Sequence, residues 1–230
     1  MLDANERVLR FCDRNTQPDC MHDECRYALY YAPPEGSEWA RFGADWFDTV
    51  PEAPRRYGFH ATLKAPFRLA RDVSLEDLRG ELRRYCAGRL AWPMPPLKVA
   101  LLDDFLALIP ADEDPEIGVI AAECVMRFDR FRAPLDERDF ARRNPERLNA
   151  EELRMLRRWG YPHVLDLFRF HMSLTGPLAA AEPRRVAALT VQAGRALGAL
   201  PPLAFDAICV FEEPRPGADF RLVERVAFGT

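Results

Sequence analysis

Two segments of the chain match without a gap. Phe59-His60-Ala61-Thr62-Leu63-Lys64-Ala65-Pro66-Phe67 aligns with Phe170-His171-Met172-Ser173-Leu174-Thr175-Gly176-Pro177-Leu178. Phe, His, Leu and Pro are identical in register, and the hydroxyl residue is Thr in one copy and Ser in the other. The two histidines lie 111 residues apart in a chain of 230, close to half its length. An internal repeat constrains architecture more than any local propensity does. This one predicts two similar halves, each giving one strand to a shared cleft. The chain has only four histidines, and two of them fill equivalent slots.

Strand periodicity sorts the side chains, because residues i, i+2 and i+4 share a face. His60, Thr62 and Lys64 fall on one face of the first copy, with Ala61, Leu63 and Ala65 turned to a core. In the second copy Arg169, His171, Ser173 and Thr175 share a face opposite Phe170, Met172 and Leu174. Each polar row offers an imidazole, a hydroxyl and a nearby cation. Such a row suits phosphoryl transfer. The hydroxyls of Thr62 and Ser173 can donate to phosphate oxygens, and Lys64 and Arg169 can balance negative charge. An imidazole gives or takes a proton near neutral pH. Two of them on opposite sides of one phosphorus can divide the work of base and acid, as in-line displacement requires. Singly, each residue reads as an ordinary strand position, and Thr175 and Gly176 as the end of a strand. The matched pair favours chemistry. His163, after Tyr161-Pro162, reads as a loop residue without a catalytic role, and His22 belongs to the unpatterned N-terminal stretch.

Along the chain, strand and helix signals alternate. Strands are predicted near Arg26–Ala32, Tyr57–Leu69, Leu97–Ile109, Leu167–Thr175, 203–212 and 219–228, the last two joined by the turn P-R-P-G-A. Helices are predicted from Ser37 to Val50, from Ser74 (start signal S-L-E-D) to Gly88, from Pro115 to about Phe131, and from Glu182 to Leu197. A-W-P-M-P-P reads as a linker or a polyproline-type turn. Mixed helices and strands with a hairpin give an α+β class with antiparallel sheets. Residues 127–158 hold ten Arg against seven Asp and Glu. That segment reads as solvated helix faces, with an anion-facing insertion as the alternative. Residues 1–25 read as a loosely held leader, with 1–20 a candidate over-extended start, and 26–230 as a single bilobal domain.

Composition closes off other classes. At 48% hydrophobic and 30% charged, the chain is neither disordered nor fibrous. A net charge of −4 gives no basic field to hold nucleic acid. No apolar run approaches the roughly 18–20 residues that span a bilayer, and no secretory h-region opens the chain. Together these point to a cytoplasmic protein with no membrane partner. Cys86, Cys124 and Cys209 read as buried small hydrophobes. Cys12, Cys20, His22 and Cys25 form C-x7-C-x-H-x2-C, whose ligand types suit zinc but whose spacing does not. No metal or other cofactor is therefore expected.

At the repeated motifs the sequence resembles the 2H phosphoesterase superfamily, whose signature is two H-x-T/S-φ motifs with φ apolar. Here they are His60-Ala61-Thr62-Leu63 and His171-Met172-Ser173-Leu174. The strings RYALYYAPP, RRYGFHATLKAPFRL, FRAPL, RRWGYP and FRFHMSLTGPL look like one bacterial branch encoded beside phosphonate-metabolism genes. The resemblance covers Arg26 to the C-terminus. It implies a bilobal fold with pseudo-two-fold symmetry, an antiparallel sheet with helices outside in each lobe, and the histidines lining the cleft between. It also implies metal-independent chemistry on cyclic phosphates and related diesters. In that reading His60 and His171 are the acid/base pair, and Thr62 and Ser173 bind phosphate.

The expected function is thus a cyclic phosphodiesterase acting on a small ribosyl or nucleotide phosphate ester, as a monomer. The alternative is a non-catalytic nucleotide- or RNA-binding module on the same fold, against which the net charge counts. A metallophosphatase would need carboxylates and histidines at ligand spacing, and Asp103-Asp104 and Asp112-Glu113-Asp114 have no histidine nearby in sequence.

Overall fold

A computed structural model describes residues 25–51, 53–178 and 183–229. The predicted leader, with Cys12, Cys20 and His22, lies outside the described residues. Cys25 is described: it is buried and its thiol donates to the Pro214 carbonyl at 3.3 Å.

β1 (Arg26–Tyr31) leads into α1 (Glu38–Thr49), and β2 (Ala61–Phe67) into α2 (Leu75–Ala87). β3 (Trp92–Pro93), β4 (Leu97–Leu102), β5 (Phe105–Pro110) and α3 (Pro115–Arg127) follow. The arginine-rich segment holds α4 (Glu137–Ala141) and α5 (Ala150–Trp159). β6 (Met172–Ser173), α6 (Pro183–Leu197), β7 (Ala204–Phe205), β8 (Ala207–Glu213) and β9 (Arg221–Ala227) complete the order. Seven strands form one antiparallel sheet in the order β4-β5-β6-β2-β1-β8-β9, and β3 pairs with β7 in a second. The α+β class with antiparallel strands is as expected.

The helices start where the side chains can cap them. Ser37 accepts from the Ala40 amide, Ser74 and Asp77 form a reciprocal capping box, and Pro115 sits in the first turn of α3 behind Asp114. α1 buries Trp39, Phe42, Trp46 and Phe47. Their core continues through Tyr27, Leu29 and Tyr31 of β1 and Leu78 and Leu82 of α2. A smaller cluster covers the other sheet face: Ala28, Tyr30, Cys209, Phe211 and Phe220, with Tyr57 against it. Cys86, Cys124 and Cys209 are free thiols with no exposed surface.

Three local readings change. The single strand expected from Leu97 to Ile109 is a hairpin, because Asp103 takes a left-handed φ of 50° that a short polar residue tolerates in a turn. Trp92–Pro93 is a short strand rather than a linker; the indole stacks on Phe205, 4.9 Å between centroids. The two motif strands are also shorter than predicted. Residues 55–57 and 165–167 form 3-10 turns, so both histidines stand just before their strands.

The halves meet at these strands. β2 and β6 are neighbours, paired at Ala61↔Met172, the residues that follow the two histidines. The repeat is therefore folded about the centre of the sheet, which brings its two copies side by side.

Candidate active site

The approach to each motif histidine is built the same way. Phe59 packs edge-on against Phe42 and Phe47 of α1, at 5.5 and 6.1 Å between centroids. Gly43 makes room for it, since a Cβ there would lie 2.5 Å from the Phe59 ring. In the other half Phe170 is buried beside Tyr31 and Phe205. With the phenylalanine anchored in the core, the next residue is turned to the opposite face.

Both imidazoles then bond to the carbonyl two residues back. His60 Nδ1 lies 2.9 Å from the Gly58 carbonyl, and His171 Nδ1 lies 2.8 Å from that of Arg169. A carbonyl only accepts, so Nδ1 carries the proton in each ring and Nε2 is the proton-accepting nitrogen of the neutral imidazole. His60 Nε2 lies 3.3 Å from the Thr62 hydroxyl, which donates to it in the neutral ring. The His60 ring is stacked on Tyr30 at 3.8 Å, and Tyr30 faces Thr62 across the β1–β2 ladder. Phe105 flanks His171 at 5.6 Å.

Gly58 has φ 69° and ψ 176°, a region open only to glycine. A Cβ there would meet nothing closer than Phe211 at 3.9 Å, so a side chain is excluded by the backbone and not by space. Gly58→Ala should therefore cost about 1–3 kcal/mol in backbone strain, read by denaturant unfolding. It should also misplace the carbonyl that orients His60, so turnover should fall even in the fraction that folds.

Both histidines are held below the ordinary imidazole value. Burial pushes His60 down to about 4; its Gly58 hydrogen bond opposes this and the His171 ring reinforces it. Burial likewise lowers His171, against its bond to the Arg169 carbonyl and with His163 nearby. Without an anion both rings are neutral at neutral pH. A bound phosphate reverses the balance, because negative charge beside an imidazole favours its charged form. Phosphate binding between about pH 4 and 6.5, the free and ordinary imidazole values, should therefore take up a proton. Calorimetry in buffers of different ionisation enthalpy reads this directly, and equal heats in all buffers would contradict it.

Thr62, Arg169 and His171 line one cavity of about 440 Å³, and Ser173 stands half-buried in β6 beside Ala107 of β5. If the two motifs act on a phosphate ester, Thr62→Ala should lower turnover less than loss of either histidine, because it would remove one hydrogen bond to phosphate and leave both imidazoles in place. A steady-state comparison checks this.

Two residues leave the expected rows. Lys64 does not share a face with Thr62, because the register moves one residue on β1 against two on β2 between Tyr30↔Thr62 and Leu29↔Lys64. That β-bulge breaks the alternation. Lys64 is buried, donates to the Val125 carbonyl at the end of α3 at 3.1 Å, and lies 3.5 Å from Asp129. Burial lowers its pKa to about 8, against the pull of Asp129. Thr175 is buried and accepts from the Leu106 amide at 3.0 Å, a backbone role. Conversely, the cavity is lined by Phe105, Tyr161 and His163, which the repeat does not contain. His163 is half-exposed, 3.8 Å from Glu152. Only the proximity of R-R-W-G-Y-P to the second motif in sequence hints at them. Among the described residues no three His, Cys, Asp or Glu side chains cluster so as to hold a metal ion, and no helix is long and apolar enough to cross a membrane.

The chain belongs to the family described as "Protein of unknown function (DUF1045)", whose model matches residues 62–221. Two curated relatives carry the name ribose 1,5-bisphosphate phosphokinase PhnN. The one from Janthinobacterium sp. (strain Marseille) is 38% identical over 229 residues, covering 88% of this chain and 51% of the relative. The one from Laribacter hongkongensis (strain HLHK9) is 32% identical over 222 residues, covering 87% and 51%. The chain thus spans about half the length of these relatives. Among solved structures, one described as a phosphoesterase matches at TM-score 0.46 and 13% identity, covering 90% of this chain and 99% of its own. Escherichia coli LigT complexed with 3′-AMP matches at 0.45 and 14%, with the same coverage.

Proposed function

We propose that the chain is a phosphodiesterase that opens a small cyclic phosphate ester of ribosyl or nucleotide type, without metal, by two-histidine acid/base catalysis. The observation that carries the reading is the matched pair: His60 and His171, one before each of two neighbouring strands, each with Nδ1 on the carbonyl two residues back, which leaves Nε2 as the proton-accepting nitrogen; in His60 it accepts from the Thr62 hydroxyl. In this reading the hydroxyls of Thr62 and Ser173 bind phosphate, and Arg169, which lines the cavity with Thr62 and His171, adds positive charge.

His60, the more strongly depressed of the two, is the base in this proposal, and His171 the acid. Water attacks phosphorus and its proton passes to His60 Nε2. The ring P–O bond breaks in line, and the leaving oxygen takes the proton from His171 Nε2. A water proton is thus moved from one side of the phosphorus to the other, and the product is a phosphate monoester.

The kinase named in the relatives is a different chemistry. Nucleotide-dependent kinases of the P-loop type cradle phosphates in G-x-x-x-x-G-K-[ST]. Neither lysine of this chain, Lys64 or Lys98, follows a glycine. We assign the kinase name to the part of those relatives that lies outside the match. Their name nevertheless favours a ribose phosphate over a nucleic acid as the substrate, in keeping with a role in phosphonate metabolism. The test is a screen of cyclic phosphates, ribose 1,2-cyclic phosphate esters included, with product phosphate position read by ³¹P NMR. Turnover of one class supports the reading. Tight binding without turnover of any would favour the nucleotide-binding alternative.

A further inference from the structure

A second cavity, of about 360 Å³, adjoins the first. The two share Ala65, Tyr161 and Val164 as walls. We propose that this second cavity, walled by Arg26, Arg56, Arg132, Arg142 and Arg143, holds a phosphate monoester group carried by the substrate. The link to the substrate rests on the reading above; the anion site itself does not.

The charge is lopsided. Among the described residues seven basic side chains, Lys64 and Arg68 included, line the cavity, and the carboxylates they pair with number four. Glu213, fully buried, is shared by Arg26 and Arg56. Asp129 is shared by Lys64, Arg132 and, from outside the lining, Arg158. Arg143 has no carboxylate partner among the described residues and lies 4.9 Å from the Tyr161 ring centroid. Burial lowers its pKa and Arg26 adds to the effect, against Tyr161, Asp139 and Tyr30, which favour the charged form. An anion in the cavity would offset that cost, and a guanidinium binds phosphate through two parallel hydrogen bonds.

Position connects the site to the histidines. Thr62 lines the first cavity and Lys64 the second, two residues or about 7 Å along β2. One phosphorylated sugar can bridge such a distance. Tyr161 walls both spaces. The arginine-rich segment thereby acquires a role beyond solvation: Arg132, Arg142 and Arg143 all come from it.

The test is calorimetric binding of ribose 5-phosphate, in EDTA, with D-ribose as control. Ribose 5-phosphate has no cyclic ester, so binding is read without catalysis. Arg154→Ala, on the exposed side of α5 and outside both cavity linings, should bind it like wild type, and D-ribose should give no heat. Arg143→Ala should weaken binding roughly 10- to 100-fold, the span of a charge-assisted hydrogen bond; Arg143→Lys should fall between. Arg142→Gln provides a second probe, since Arg142 is a partly exposed side chain that lies 3.9 Å from Asp139; it should weaken binding several-fold. Thermal melts confirm that each variant is folded. Unchanged binding in the folded Arg142 and Arg143 variants, or an equal loss with Arg154→Ala, overturns the site, as does absence of binding to wild type. Cyclic-ester turnover is assayed separately, so a chain that holds ribose 5-phosphate through Arg143 but opens no cyclic ester retains this site and refutes only the reaction.

Discussion

His60→Ala and His171→Ala should each lower turnover of the cyclic substrate by about 10²- to 10⁴-fold, the usual contribution of one general acid or base. The fold should survive, since both rings stand at strand entries and are only partly buried. The double variant should be little worse than the worse single, because two groups moving one proton across a phosphorus fail together. The effect should appear in kcat more than in KM, as the proton transfers belong to the transition state. Far-ultraviolet circular dichroism and a melt on each variant separate this loss from unfolding. Loss of His60 also removes a ring stacked on Tyr30, so a modest fall in melting temperature is expected there. Stability of the wild type should decline as pH falls from about 6.5 toward 4. In that window the unfolded chain takes a proton at this position that the folded chain refuses.

The largest expected effect on stability lies elsewhere. Glu213 ends β8 with no exposed surface and accepts from Arg26, from Arg56 and from the Gly217 amide, the last at 2.8 Å. Glu213→Ala would leave two guanidiniums facing each other and an amide unpaired. Breaking a buried ion pair from one side costs about 3–5 kcal/mol. The two arginines are partly exposed, at 14% and 30%, so the lower end applies. For a chain of this size about 3 kcal/mol corresponds to a fall of roughly 6–12 °C in melting temperature. Glu213→Gln keeps the shape and some hydrogen bonds and should lose less. Scanning calorimetry of the two variants checks the order; equal melting of Glu213→Ala and wild type would contradict it. Arg56 and Arg26 also wall the second cavity, so the same substitution should disturb phosphate binding there.

The helix starts and the juxtaposition of the two histidine motifs were legible in the sequence for local reasons. Ser37, Ser74 and Pro115 act within one turn of where they stand. The repeat names its histidines because the same residue types recur at one spacing. What could not be read depends on partners distant in sequence. The bulge that removes Lys64 from the Thr62 face arises from pairing with β1, more than thirty residues earlier. Strand alternation cannot anticipate it, since one extra residue inverts every side chain beyond it. The hairpin at Asp103 was hidden because Leu97–Leu102 and Phe105–Pro110 read as one largely apolar run, broken only by Lys98 and by Asp103-Asp104. The arginines of residues 127–158 look like a solvated face. They gain a concave arrangement only when α4 and α5 pack near β2 and Tyr161 closes the wall.

The central claim is that His60 and His171 act as base and acid on one phosphorus, and the pH dependence of kcat/KM in EDTA tests it most directly. Wild type should give a bell whose limbs belong to the coupled pair, lying between about 4 and the ordinary imidazole value near 6.5, since burial lowers both rings in the free protein. The bell for kcat should sit higher, because bound phosphate raises both. The residual activity of His60→Ala should lose the acidic limb, and that of His171→Ala the alkaline limb. Two variants that keep the full bell at near wild-type rate, or activity that appears only when a divalent metal is added, would contradict the two-histidine mechanism.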